Sequence, residues 1–223
     1  MRQNVRTVIT ALLAAASVAG AQDSSRPRDL DPLSRLDPQT RYAVEMLLDS
    51  ARLAGLPTNP LESKALEGIS KRASGRLIVM RVRETFRTLK EARVALGPTA
   101  GQDELAAGAG ALRVGLTTAE LNQLARTRRD KDLTVPLVVL SDLITRGVPR
   151  DTASTTIFQL WQRGAADDDF LGLWRGVERD IVSGTDPGVA LLNRAREVPA
   201  RGPPPTAAPA GARSPETSEN QNR

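Results

Sequence analysis

The chain contains neither cysteine nor histidine. Without cysteine it has no disulfide and no thiol nucleophile, and it lacks the residue that carries the lipid of a bacterial lipoprotein. Without histidine it lacks the commonest general base, the commonest transition-metal ligand and the side chain that titrates near neutral pH. These absences exclude Ser-His-Asp and Cys-His hydrolases, histidine-ligated zinc enzymes and thiol redox enzymes. Carboxylate chemistry, lysine or arginine chemistry, and binding are the classes that remain.

Lysine and aromatic residues are scarce. Aromatic residues make up 3% of the chain, and the 31 basic residues are almost all arginine. The formal net charge of +5 is weak evidence for a polyanionic partner, because such an arginine bias is typical of GC-rich bacterial genomes. No aromatic side chains alternate with the basic ones, so we do not expect nucleic acid to be the partner.

The first residues have the pattern of a secretory signal peptide. Arg2 and Arg6 precede an apolar run over 8–20, and Ala19-Gly20-Ala21 fits the small-x-small rule for cleavage. The run is shorter than the ~20 residues that a membrane-spanning helix needs. We therefore predict that residues 1–21 are a signal peptide, and that cleavage near Ala21 leaves a periplasmic or secreted protein with a charge lower by two.

Composition divides the remaining chain into three parts. Residues 22–36 are polar and contain two prolines, which predicts a flexible lead-in. Residues 198–223 are rich in Pro, Ala, Gly and Ser and lack the apolar residues that offset ordering entropy, which predicts a disordered tail. We expect the folded domain to occupy residues 37–197.

Apolar residues recur at helical spacing almost throughout that domain, as at Val44, Leu47, Leu48 and Ala51. The run 135–140 is compatible with a buried strand, but its early proline and the helical neighbours favour a helix. We predict an all-α domain of seven to eight short helices.

The expected helix ends share one pattern, which is a glycine followed by an apolar residue. It occurs at Gly55, Gly115, Gly147 and Gly164. A glycine in the left-handed conformation ends a helix and reverses the chain, and the apolar residue then covers the corner. Such corners predict an array of helical hairpins or an orthogonal bundle, and their irregular spacing leaves both architectures open.

Basic residues are concentrated between Lys71 and Arg93, where only Glu84 and Glu91 oppose them. Five of the cations can share one helical face: Arg72, Arg76, Arg83, Arg87 and Lys90. Such a face could hold an anionic partner such as lipid headgroups or acidic glycans. The alternative is the solvated side of a packed helix.

Four of the six aromatic residues lie close together in sequence, at Phe158, Trp161, Phe170 and Trp174. Their spacing places each pair on one face of its own helix, and the Gly164 corner should bring the two helices together. The cluster could form a groove for a peptide or a sugar. The alternative is the core of a helical hairpin, where aromatic side chains bury a large area.

Two acidic features of the sequence are candidate sites for metal binding or catalysis. Asp167-Asp168-Asp169 lacks the alternating ligands of a calcium loop and is better explained as the charged start of a helix. The pair Glu62-Ser63 resembles the catalytic Glu-Ser of lysozyme-like transglycosylases, but a Gly-Leu-Met-Gln-type segment is absent. We expect no metal, no cofactor and no catalytic residue.

The small residues Ala107-Gly108-Ala109-Gly110-Ala111 do not match a phosphate-binding loop and are expected to let two helices approach closely. The leading hypothesis is an exported, non-catalytic helical binding or scaffolding protein of the bacterial cell envelope. Its partner would be an envelope protein or an anionic envelope surface. The alternatives are a carboxylate-only enzyme that cleaves cell-wall glycans and a purely structural protein without a defined ligand.

Overall fold

The computed structural model describes residues 32–128 and 131–200. The chain divides after Pro32, and the nine α-helices found in the described residues all lie in the second unit, which begins at Leu33. No strand occurs in these two ranges. The all-α class is therefore confirmed, with nine helices where seven or eight were predicted. The predicted signal peptide, most of the lead-in and the tail from 201 onward lie outside the described residues.

The helices follow one another with short connections. Their bounds are α1 Pro38–Leu53, α2 Asn59–Ser70, α3 Gly75–Leu96, α4 Gln102–Arg113, α5 Thr118–Thr127, α6 Thr134–Thr145, α7 Arg150–Gln162, α8 Asp167–Val182 and α9 Pro187–Glu197.

The last residues of the segment that composition assigned to the flexible lead-in are helical and partly packed. A short 3-10 helix covers Pro32–Arg35, and Leu33 is buried in the core. Asp37 then caps α1, because its side chain accepts a hydrogen bond from the Thr40 amide at 3.0 Å. The apolar side chain of Leu33 explains why packing extends beyond the boundary expected at residue 37.

In the described ranges six helices end at a glycine with positive φ, and five of these glycines form the same kind of corner: Gly55, Gly115, Gly147, Gly164 and Gly184. At each corner the residue after the glycine donates its amide across the helix end, as Leu56 does to the Ala51 carbonyl at 2.9 Å. This is the Schellman arrangement. Apolar residues after four of the glycines are buried: Leu56, Leu116, Val148 and Ala165. The corners predicted from sequence are therefore confirmed.

The order of helix contacts is that of a hairpin array. Helix α4 packs on α6 and α6 on α8, while α3 packs on α5, α5 on α7 and α7 on α9. Several consecutive helices also pack, chiefly α2 on α3, α3 on α4, α6 on α7 and α8 on α9, so the two rows form two layers joined at these hairpins. At the start of the array, α1 lies beside α3.

One hydrophobic cluster runs through the array from Leu33 to Leu191. Helix α6 lies at its centre with Leu137, Leu140 and Leu143 buried, which confirms the helix over the strand alternative for this segment. Helix α4 approaches its neighbours closely at Gly108, where an added Cβ would lie 2.8 Å from Leu96 Cδ1. Among the described residues, no helix is both long and apolar enough to span a bilayer.

Candidate binding surfaces

The outward side of α3 carries four of the five cations that the sequence singled out. Buried Ile78, Val82 and Leu89 fix the inner side of this helix against the core. The outward side, within an arc of about 60° at 3.6 residues per turn, carries the exposed cations Arg76, Arg83, Arg87 and Lys90. The helix therefore does bring these four side chains together on one solvent-facing strip.

Most of this positive charge is not neutralised locally. Within the two described ranges, no carboxylate lies within salt-bridge distance of Arg76 or Arg83. Arg87 Nε lies 3.8 Å from Glu91 Oε1, and Lys90 Nζ lies 4.9 Å from the centre of the Phe86 ring. Exposed ion pairs of this length contribute little energy, so all four cations remain available to a partner.

Arg72 is not part of the helix on which the other four cations lie. It occupies the corner between α2 and α3 with a φ of 53°, the one non-glycine residue with positive φ in the described part of the chain. The Ala73 amide donates to the Gly68 carbonyl at 3.0 Å, as at the glycine corners. The arginine is exposed and extends the positive charge toward the start of α3.

Two apolar side chains share the outward strip with the cations. Met80 is 51% exposed and Val94 is 76% exposed. At 3.6 residues per turn both fall on the same side as Arg76 and Arg83. We call the six residues the α3 outer face: Arg76, Met80, Arg83, Arg87, Lys90 and Val94. The sequence analysis missed the two apolar members, although their spacing of four and seven from cationic positions was visible.

Two of the four predicted groove aromatics are core residues. Trp161 and Phe170 are 2% and 0% exposed, and their ring centres lie 6.4 Å apart. The Trp161 indole donates to the Leu124 carbonyl at 3.2 Å, and the Arg128 guanidinium lies 4.2 Å from its ring centre. These rings therefore join α5, α7 and α8 and do not line a groove. Trp174 is half-buried against the same core, and its buried Nε1 has no hydrogen-bond partner among the described residues.

Phe158 does line a groove, which lies between α5 and α7 and has a volume of about 330 Å³. Its other lining groups include the amides of Gln123, Gln159 and Gln162. Glu120 is the charged residue of the groove, and its Oε2 accepts hydrogen bonds from Thr117 and Arg150. Partial burial acts to raise the pKa of Glu120, but these hydrogen bonds hold it below its usual range.

A larger cavity of about 480 Å³ lies between α2 and α3, with Leu77 and Ile78 among its apolar residues. Its charged groups are largely satisfied by one another. Lys64 and Lys71 both donate to Glu67 and lower its pKa to about 2. Because these cations are already paired, the cavity is a weaker candidate for an anionic ligand than the α3 outer face.

The acidic features have structural explanations. Glu62 lies in the first turn of α2, and Asp169 caps α8 because its Oδ2 accepts from the Ala166 amide at 2.8 Å. A carboxylate at a helix start is favoured by the helix dipole. In the described ranges no group of three potential ligands could hold a metal ion.

Glu104 is a carboxyl group that the sequence analysis did not single out. Burial raises its pKa, although it accepts a hydrogen bond from the Leu133 amide at 3.2 Å. This bond ties α4 to the start of α6. Residues so far apart in sequence gave no pattern from which their proximity could be inferred.

No family model, no curated protein and no solved structure matches this chain. A functional assignment therefore has to come from the surfaces described above. Of these, the α3 outer face combines exposed cations with exposed apolar groups, and the α5–α7 groove combines exposed amides with an aromatic ring.

Proposed function

We propose that the chain is an exported, non-catalytic helical binding or scaffolding protein of the bacterial cell envelope, which holds an anionic lipid surface through the α3 outer face. The observation that carries the proposal is the combination of unpaired Arg76 and Arg83 with exposed Met80 and Val94 on one strip. Anionic headgroups would meet the guanidinium groups while the apolar side chains enter the interface.

Lipid is favoured over a purely polar polyanion because of the two apolar residues. A nucleic acid or a free acidic glycan would leave Met80 and Val94 in water, whereas a membrane interface buries them. Aromatic stacking on bases is poorly supported, since Phe86 packs partly against the core. The export component rests on the cleavable pattern of residues 1–21.

The strength of the expected contact follows from the number of cations. Each basic residue close to an anionic membrane contributes about 1 kcal/mol, so the four on α3 together with Arg72 contribute ~5 kcal/mol at most. That corresponds to a dissociation constant of roughly a millimolar or somewhat below. Binding should therefore be reversible, sensitive to salt and strengthened by several copies acting on one surface.

The test is sedimentation of the exported protein with vesicles of phosphatidylcholine, with and without phosphatidylglycerol. We expect retention on the anionic vesicles alone, and loss of retention in the triple variant Arg76→Glu, Arg83→Glu, Arg87→Glu. The matched control reverses three exposed arginines on other helices and corners: Arg126, Arg163 and Arg175. Equal loss in both triple variants would mean that net charge alone causes binding, which contradicts the proposal.

A second variant separates lipid from other polyanions. Met80→Ser with Val94→Ser should weaken retention on anionic vesicles and leave binding to heparin unchanged.

Release of soluble fragments from peptidoglycan by the purified protein, stopped by Glu62→Gln, would instead favour the carboxylate-only enzyme. The mature mass should correspond to a start at Gln22, and a retained Met1 in the exported fraction would contradict export by cleavage.

A further inference from the structure

The groove between α5 and α7 is framed by hydrogen bonds at both of its ends. At one end Arg150 Nε donates to the Gly115 carbonyl at 2.9 Å, and the same guanidinium pairs with Glu120. At the other end Arg128 donates to the Ala165 carbonyl at 2.8 Å, beside the bond from Trp161 to Leu124. The two helices therefore run side by side in the same direction, and their separation is fixed at each end.

The space between the two helices is large enough for a small ligand. Its volume of about 330 Å³ lies at the lower end of the range of about 300–1,000 Å³ that is typical of small-molecule pockets. On α7 the lining runs from Ser154 to Gln162, which is about 12 Å at 1.5 Å per residue. Such a length suits a short oligomer better than a partner helix or an extended peptide.

The lining is mostly polar and uncharged, and its one carboxylate is paired. Gln123, Gln159 and Gln162 are exposed, and none of their side-chain amides has a partner within the described ranges. Leu116 and Leu124 supply apolar groups together with the half-buried ring of Phe158. The one carboxylate in the lining, Glu120, is paired with Arg150. Exposed amides can donate to and accept from a neutral ligand, while the neighbouring aromatic ring packs against its apolar side.

We infer that this groove binds a short neutral saccharide that carries N-acetyl groups. Sugar hydroxyls and the acetamido N–H and C=O match the donors and acceptors of the three glutamines, and the acetamido methyl provides an apolar group for Phe158. The site is distinct from the α3 outer face, so it does not rest on the lipid proposal. It would give the protein a second envelope ligand of a different chemical class.

The experiment is calorimetric titration of the exported full chain with a trisaccharide of N-acetylglucosamine. Because Trp161 donates to the carbonyl of Leu124, which lines the groove, its fluorescence provides a second readout. We expect saturable binding, about tenfold weaker in the double variant Gln159→Ala, Gln162→Ala, since two hydrogen-bonding groups are lost. Both glutamines are exposed, so the variant should fold normally, which circular dichroism will verify.

Two controls make the outcome decisive. Gln39→Ala removes an exposed amide from α1 and should bind as the parent protein does. The corresponding trisaccharide of glucose, which has no acetamido groups, should bind at least several-fold more weakly. The inference is overturned if the acetylated trisaccharide shows no saturation up to ~10 mM, if the double variant binds it equally well, or if a neutral tripeptide occupies the groove and the sugar does not.

Discussion

Arg72 holds a conformation that the fold elsewhere assigns to glycine. Five corners of the same hydrogen-bond pattern use a glycine with positive φ, and the corner before α3 uses an exposed arginine with a φ of 53°. For a residue with a Cβ, the left-handed conformation costs about 1–2 kcal/mol. Strain at a single position is a reason to look for a functional use of its side chain. Here that side chain adds a cation next to the α3 outer face.

Arg72→Gly should raise the free energy of unfolding by about 0.5–1 kcal/mol, because relief of the backbone strain exceeds the entropy that glycine adds to the unfolded chain. The same variant should reduce retention on anionic vesicles. Stability is measured by urea unfolding at neutral pH.

Arg72→Ala serves as the control, since it removes the cation but keeps the Cβ. It should lose the same vesicle retention and gain little or no stability. If the glycine variant proves less stable than the parent protein, the strain assigned to this corner does not exist.

At the scale of single helices, two interior glycines differ in what surrounds them. A Cβ added to Gly68 in α2 would lie 2.6 Å from Ile78 Cγ1 and 3.5 Å from Ile78 Cβ. A Cβ added to Gly172 in α8 would have nothing within 4 Å. Ile78 is buried, and its β-branched side chain is stiff at χ1, so it has little freedom to move aside. Gly68 thus sets the close approach of α2 to α3.

Gly68→Ala should destabilise the protein by about 1–2 kcal/mol, because overpacking against Ile78 outweighs the higher helix propensity of alanine. Gly172→Ala should stabilise it by about 0.5–1 kcal/mol, because it gains the propensity without the clash. Thermal and urea unfolding of the pair measure the difference. Equal stabilities for the two variants would show that α2 and α3 do not pack as closely as their glycine contact indicates.

The all-α class and the glycine corners between helices could be predicted from sequence, because both depend on local chemistry. Periodic apolar residues select a helical face, and a glycine such as Gly147 with the following Val148 specifies a reversal within a few residues. The grouping of cations along α3 could likewise be predicted from sequence, since these residues lie on one helix. Composition gave no indication that Leu33 would be buried, because a single apolar residue among polar ones has no periodicity.

The α5–α7 groove could not be predicted for the opposite reason. Phe158 and Gln123 come from different helices, and their proximity depends on bridges such as that from Arg128 to the Ala165 carbonyl. The sequence predicted four groove aromatics, of which Phe158 lines the groove, whereas the rings of Trp161 and Phe170 are in the core. Tertiary packing decides which member of such a cluster reaches the surface.

For the molecule as a whole, the open question is whether a layered array behaves as one cooperative unit. Arrays in which each hairpin contacts its neighbours can unfold in parts. In this chain, however, a single apolar cluster connects Leu33 with Leu191. Long-range hydrogen bonds also tie separate helices together, as Arg93 of α3 donates to the Gly55 carbonyl at the end of α1 and Arg128 donates to the Ala165 carbonyl after α7. These features favour unfolding in one step.

The two tryptophans provide a direct test, because Trp161 and Trp174 both lie in the second half of the array. Fluorescence therefore reports α7 and α8, whereas circular dichroism reports every helix. We expect the two probes to give the same urea midpoint.

Leu48 is buried in α1, far along the chain from both tryptophan rings, and Leu48→Ala should lower the free energy of unfolding by about 2–5 kcal/mol. Both midpoints should fall together in that variant. If only the dichroism midpoint falls, α1 unfolds separately and the continuous core does not make the array cooperative.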